Sequence, residues 1–573
     1  MADPSGKFNG NRSLMQKIGG TVLTFVLVTL VSSSAFVGAA DRTTCVVPRG
    51  NQVAGLIPAG AIYPDQAMGD VASDGWQAYM RVWKALHEHP GDPTLRRFLG
   101  LPLDGAVEAK IRRGRSAPSW LRWRPGYQQV DTPHLTIYTH ATAAATVRVA
   151  EDLESCYWVW TQMFFPFWEA APQVSTIFKG LQADEDVADY LRRKPSRITV
   201  SRKLRVVMFR DAAEYQQTLG PDNPGIERST GFYNDKLQTT FLYAAERDDA
   251  ATRRHEMVHQ LFRQATRSTL GNNMPGEDAG FWLVEGIAGY FESLQLRGGL
   301  ATLGGWDSSR LQFARFRMLA FGDEMPMKEL TADGRIAAQQ RQDIARWYAH
   351  GIAQTHHLLH SSEPADRRYI YQQLAELYAV KSELGDARLT ADPQRGLKSF
   401  LSIDDNHIKQ NPPRAPLIRL CLAGCEVTEA GLALIPASPE LQWLDLSRLP
   451  IGNEAVRRLV PQPESLQQLT LEATKVDAEL QAWLSRANNL RELDLSWLEM
   501  DDAVIKSIAG ARELETLWLT GTNVSDKSID TIAGMKNLQA VDLQRTQVTA
   551  AGLARLRQAR PELNLNPLEL RAG

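Results

Sequence analysis

The feature that most narrows what this chain can become is a leucine pattern repeated through its last third. Leu-x-x-Leu-x-Leu starts at Leu417, Leu441, Leu466, Leu490, Leu514 and Leu538, with Val541 replacing one leucine. The spacings are 24, 25, 24, 24 and 24 residues, and a degenerate last copy ends in Leu563 and Leu565. Alternation of period two inside each copy predicts a short strand with its leucines turned inward. The rest of each copy is long enough for a turn and a helix. One such unit cannot bury its own apolar face, so the units must stack.

This pattern is similar to the leucine-rich repeat, which implies an α/β solenoid over residues 417–573. The Asn/Cys position of that repeat falls eight residues after each first leucine and holds Cys425, Leu449, Thr474, Leu498, Thr522 and Thr546. Cys425 is therefore expected to be a buried turn residue rather than a disulfide partner. Cys421 alternates outward from Leu420 and Leu422, and Asp445, Thr470, Asp494, Trp518 and Asp542 occupy the equivalent positions. With Trp443 and Arg491 they are expected to make a mixed polar and aromatic concave face. Two readings of it stay open, a surface for a protein partner and a merely solvated face.

The chemistry sits upstream, in Arg254-His255-Glu256-Met257-Val258-His259, followed 26 residues after His259 by Glu285. Histidines four apart on a helix share a face, about 6 Å apart along the axis, so both imidazoles can reach one ion. Glu256, beside the first of them, is then placed to hold a water as general base rather than to bind the ion. With 11 His and 66 acidic residues in 573, chance supplies on the order of 0.02 such matches. The alternative is a surface helix with two histidines and a salt bridge. The context favours the metal: Asp249 to about Arg267 lacks Gly and Pro, is apolar at Met257, Val258, Leu261 and Phe262, and starts with Asp248 and Asp249 in capping positions. A second helix begins near Phe281. Glu285 lies in its apolar turn, where a carboxylate needs a compensating partner such as a dication. Gly286 and Gly289 are expected to let this helix approach the histidine helix. Glu292 competes as a third ligand, as support to a ligand, or as an exposed structural glutamate.

His-Glu-Met-Val-His-Gln-Leu-Phe followed by Phe-Trp-Leu-Val-Glu-Gly-Ile-Ala-Gly-Tyr-Phe-Glu resembles the gluzincin metallopeptidases, in particular the peptidase-MA-like group. The resemblance implies one zinc ion per chain held by His255, His259 and Glu285, with Glu256 as general base and acid. A looser similarity extends from about His134 to His360. The metzincin class is excluded, because Phe262 and Ala265 stand where it needs Gly and a third His. The aminopeptidase signature Gly-x-Met-Glu-Asn is absent, so aminopeptidase activity is not implied. Gluzincins place an oxyanion-stabilising Tyr on a later helix, and Trp347-Tyr348-Ala349-His350 matches that segment. Tyr348 is the candidate there, a core or interfacial tyrosine is the alternative, and His350 is a weaker donor. His350, His356, His357 and His360 are expected to be ordinary histidines of a packing helix rather than a second metal site.

Arg205–Phe209 and the pair Ser229–Tyr233 and Thr239–Tyr243 predict a strand and a hairpin. Gluzincin-like folds bind extended substrate along an edge strand beside the metal, and Gly231 would allow close backbone approach. His134–Tyr138 is expected to be the first strand of the catalytic domain, followed by a long helix over Thr142–Phe165.

At 573 residues the chain exceeds one core. A net charge of −2 lacks the basic footprint of a nucleic-acid binder. Lys17, the apolar run Ile18–Val31 and the small residues Gly38-Ala39-Ala40 predict a secretory signal peptide over 1–40, with an uncleaved membrane anchor as the alternative. Either way the catalytic domain is exported, to a periplasmic, extracellular or cell-surface location where Cys45 and Cys156 could pair. The expected organisation is a helical region over 41–130, a catalytic domain over 131–403, a Pro-rich linker over 404–416 and the repeats over 417–573. The fold class expected is α/β overall, an α+β gluzincin-like domain followed by the solenoid. The function expected is an exported zinc peptidase, an endopeptidase or peptidase acting on peptides or proteins. The alternative is a catalytically silent domain in a repeat-based scaffold protein.

Overall fold

The computed structural model describes residues 71–565 except 104–108, 115–116, 122, 124–126, 201, 224, 246–248, 298–299, 362, 382–392 and 414–415. The signal or anchor segment and Cys45 lie outside the described residues. Among the described residues, no helix is long and apolar enough to cross a membrane. The chain is of α/β class, mixing helices with sheets that contain parallel strands. It divides into two compact units, one running up to Gly304 and again over Met327–Pro393, the other formed by Gly305–Pro326 and Gln394 onward.

The first unit opens with α1 (Asp74–Glu88), capped by Ser73, and α2 (Pro93–Leu99), capped by Asp92. Trp76, Tyr79, Val82, Trp83 and Leu86 make one buried stripe along α1. That stripe packs on the long helix α3 (Ala143–Met163): the Tyr79 and Thr161 hydroxyls bond at 2.8 Å, and Trp83 meets Trp158 edge-on. A six-stranded sheet follows the order β1 (Lys110–Arg113), β2 (Gln128–Asp131), β3 (Leu135–Thr139), β4 (Leu204–Phe209), β6 (Thr239–Tyr243), β5 (Gly231–Asn234). Strands β3, β4 and β6 run parallel, while β5 is antiparallel to β6 and forms one edge. The sheet of this unit therefore begins before residue 131. Its first strand is β1 rather than His134–Tyr138, because β2 and β3 pair through a tight hairpin with Thr132 N–H donating to Leu135.

Helix α4 (Ala250–Ala265) carries both motif histidines and starts at Asp249, whose side chain accepts from Thr252 N–H. Met257, Val258, Leu261 and Phe262 are buried, as the spacing predicts. Gln260, fully buried, ties the helix to the sheet: its Nε2 donates to Arg205 C=O, and its Oε1 accepts from Thr240. Asp152 on α3 binds both Arg253 and Arg254. Helix α5 (Phe281–Phe291) is buried along its whole length. Its glycines face α7 (Ile344–His360) rather than α4: a Cβ on Gly286 would lie 2.1 Å from Thr355 Oγ1, and one on Gly289 2.2 Å from Ile352 Cδ1. Gly231 is likewise explained by packing, since a Cβ there would meet the side chains of Leu242 and Thr252. The hairpin β7 (Gln295–Arg297) and β8 (Leu300–Thr302) follows α5.

After Gly304 the chain contributes α6 (Ser309–Arg315) to the second unit, then returns to the first at Met327. The second unit is built on six parallel strands in chain order, β9 (Arg419–Cys421), β10 (Trp443–Asp445), β11 (Gln468–Thr470), β12 (Glu492–Asp494), β13 (Thr516–Trp518) and β14 (Ala540–Asp542). The register aligns Leu420, Leu444, Leu469, Leu493, Leu517 and Val541 in one buried row. Past each strand one residue turns through the left-handed region: Gly424, Arg448, Ala473, Trp497, Gly521 and Arg545. Neighbouring copies are latched by Asp405 to Thr428, Asp502 to Ser525 and Asp526 to Thr549.

The stretch 404–416 is not a linker. Asp404 caps α8 (Asp405–Gln410), and Ile403 and Ile408 are buried in the same core as the repeat leucines. Helix α6 closes the open edge of β9, the edge that would otherwise expose unpaired main chain. Cys421 N–H donates to Gln312 Oε1 at 2.9 Å, and Arg315 donates to Cys421 C=O at 3.1 Å and Leu401 C=O at 2.7 Å. Cys421 keeps the strand-face position that the alternation predicts, in register with Asp445, but is buried there beside α6, and Cys425 is buried as expected. Arg315→Ala leaves these carbonyls without donors and is expected to destabilise the second unit by about 2–4 kcal/mol in calorimetric unfolding. Lys398→Ala, which breaks an exposed pair with Glu324, is expected to change stability by less than about 1 kcal/mol.

Candidate metal centre

Helices α4 and α5 bring three side chains to one point. His255 Nε2 lies 3.1 Å from His259 Nε2 and 3.3 Å from Glu285 Oε2, and His259 Nε2 lies 3.6 Å from Glu285 Oε1. One donor atom from each residue falls within 4.8 Å of the others. The histidines are half-buried and Glu285 is buried. Among the described residues no second group of three such ligands occurs.

Glu292 resolves as support to His255. Its Oε1 accepts from His255 Nδ1 at 3.0 Å, which leaves Nε2 facing the triangle. It is not an exposed glutamate: it is half-buried at the C-cap of Glu285's helix. Glu256 stands apart from the triangle, with Oε2 accepting Tyr233 N–H of β5 at 2.7 Å. The general-base candidate is thereby tied to the edge strand, a link that local spacing does not reveal.

The electrostatics are those of a tightly coupled, buried charge cluster. Burial opposes the charge on His255, yet its bonds to Glu285 and Glu292 and the charge of Glu256 outweigh it and push its pKa up to about 10. Burial also opposes the charge on Glu285, but His259 and His255 hold its carboxyl well below the usual range. Burial raises Glu256, partly offset by the two histidines. Three carboxylates thus share one small buried region with two imidazoles, a charge pattern with which a bound dication is compatible. Two imidazoles and a carboxylate are also the donor types and number of an open zinc site, so the residues present fit that ion.

Tyr348 is half-buried on α7 with its ring edge-on to Trp347 at 5.5 Å. His350 is buried, and its Nδ1 engages Arg346 C=O of its own helix at 2.8 Å, which removes it as a free donor. His360 bonds Tyr290 at 2.9 Å, and His356 and His357 are buried in the α7 packing. Tyr378, which the sequence does not single out, stacks on Phe262 at 4.8 Å. Burial and the nearby charge of Glu285 raise its phenol pKa. Only a fold that returns the chain from residue 327 to this unit brings it there.

A scan against protein-family models gives no match, and a comparison with curated proteins gives none.

Proposed function

We propose that this protein is an exported zinc-dependent peptidase whose leucine-rich-repeat solenoid binds a protein partner or substrate. The observation that carries the reading is the convergence of His255, His259 and Glu285 with Glu256 held beside them. His255, His259 and Glu285 would hold the ion, with Glu292 fixing the first of them. Zinc, when bound, supplies a Lewis acid that lowers the pKa of water at its open position to about 7 and polarises a carbonyl.

The chain's own residues do the rest. Glu256 Oε2 is engaged by Tyr233 N–H, which leaves Oε1 to take a proton from water. Protonated Glu256 then delivers that proton to the leaving amine. Tyr348 is the proposed donor to the carbonyl oxygen as negative charge develops there. In an antiparallel ladder the N–H and C=O of one residue face the same side. The Tyr233 C=O therefore faces the free edge of β5 with its N–H, where an extended peptide can pair.

Metal analysis of the full chain is expected to find about one zinc, with peptide cleavage, and His259→Ala is expected to lose both. A zinc-reconstituted wild type that holds no metal would overturn the reading.

A further inference from the structure

A peptide can pair along β5 only through main-chain groups that face away from β6, and the register fixes which these are. Ala244 N–H donates to Phe209 C=O of β4, so Leu242 and Thr240, two and four residues earlier, also face β4. Their partners on β5, Gly231 and Tyr233, therefore face the outer edge. These two residues bring four groups to that edge, and three of them are taken. Gly231 N–H donates to Ser229 Oγ at 3.2 Å, and the Ser229 hydroxyl donates to Gly231 C=O. Tyr233 N–H is held by Glu256. Among the described residues only Tyr233 C=O stays open. The strand ends at Asn234, and the Asp235 carbonyl turns into the hairpin, accepting from Gln238 N–H at 3.2 Å and from Arg267 at 3.3 Å.

The loop that closes the edge is itself tied down. The Tyr215 hydroxyl bonds Ser229 Oγ at 3.2 Å. Thr230 Oγ1 bonds Asp249 Oδ2 at 2.8 Å and Thr252 Oγ1 at 2.9 Å, both at the start of α4. Gly231 is buried beside this loop. A further strand would lie about 4.8 Å from β5, in the space that Ser229 fills opposite Gly231.

We propose that Ser229 and Thr230 set substrate length, so that the site takes short peptides held by one main-chain N–H at Tyr233 C=O. The inference rests on the peptidase reading above and narrows its substrate class. A chain running antiparallel to β5 comes opposite Gly231 two residues beyond the one bonded at Tyr233. A peptide that ends before that point fits the open edge. A long polypeptide has no end there and meets the Ser229–Thr230 loop, a steric exclusion that favourable contacts elsewhere do not remove.

The test gives the zinc-reconstituted full chain quenched-fluorescent random peptide pools of about four and about twelve residues. The shorter pool is expected to show a kcat/KM about tenfold higher. Ser229→Ala/Thr230→Ala, which removes the ties of the loop, is expected to bring the pools within about twofold of each other. Ser229→Thr, which keeps the hydroxyl, is expected to retain the wild-type ratio. Zinc content reports that each variant is folded. Hydrogen-exchange mass spectrometry of the metal-free chain reads the loop without activity: the Gly231 amide is expected to exchange faster in the double variant and to stay slow in Ser229→Thr. Equal kcat/KM for the two pools in the wild type overturns the inference. So does a Gly231 amide that is equally slow in the double variant, or an unchanged ratio once that amide has become fast. Bound zinc without cleavage of either pool overturns the peptidase reading itself, and this inference with it.

Discussion

Glu256→Gln is expected to leave zinc content near one ion per chain while lowering peptide hydrolysis about 10²–10⁴-fold, the usual contribution of general acid–base catalysis. Glutamine keeps the volume of the side chain and still offers an oxygen to Tyr233 N–H, so the link between α4 and β5 survives. It has no carboxylate to take a proton from water or return it to the amine. Metal content is spared because Glu256 lies outside the triangle of donor atoms. Paired metal analysis and cleavage kinetics separate this outcome from the scaffold reading, which expects the substitution to change no function. Loss of metal with activity would instead make Glu256 a ligand.

Glu285→Ala and Glu292→Ala are expected to part company in a zinc-competition titration. Removing Glu285 removes a donor that faces both histidines, at 3.3 and 3.6 Å. An affinity loss of about 10²–10³-fold follows if roughly 10–16 kcal/mol is shared among about four ligands. Removing Glu292 leaves all three donors and frees only the Nδ1 side of His255, a change of about 10–100-fold. Equal losses would require the third ligand to be reassigned. The separation matters because both glutamates sit on one helix and its C-cap, seven residues apart, and their partners distinguish them.

What could be read from the chain without its fold was whatever chemistry or periodicity is local. The histidine helix declares itself by spacing, cap and apolar stripe within 16 residues. The repeat strands declare themselves because each copy restates the same alternation. What stayed hidden depends on partners far along the chain. Gly286 and Gly289 look like a contact with the histidine helix, yet Thr355 and Ile352 are the atoms they make room for. The stretch after Asp404 resembles a linker because of its prolines, but Ile403 and Ile408 are recruited into a core that begins only later. Strand β2 escapes notice since its one fully buried residue, Val130, sits among polar neighbours. Glu292 stays open among three roles for a similar reason: nothing near it in sequence explains a half-buried carboxylate, and His255 lies 37 residues back.

Helix α6 is encoded between the Glu285 helix and α7, about a hundred residues before the strand whose edge it covers. The repeats are therefore not a detachable cassette. A gene fragment ending at Pro393 would encode the candidate metal ligands and every strand of the first sheet, yet it would leave α6 without the strand whose edge it covers. A fragment starting at Gln394 would open with an uncapped strand. Division of the chain at that boundary would therefore leave the second unit without a helix that its first strand requires.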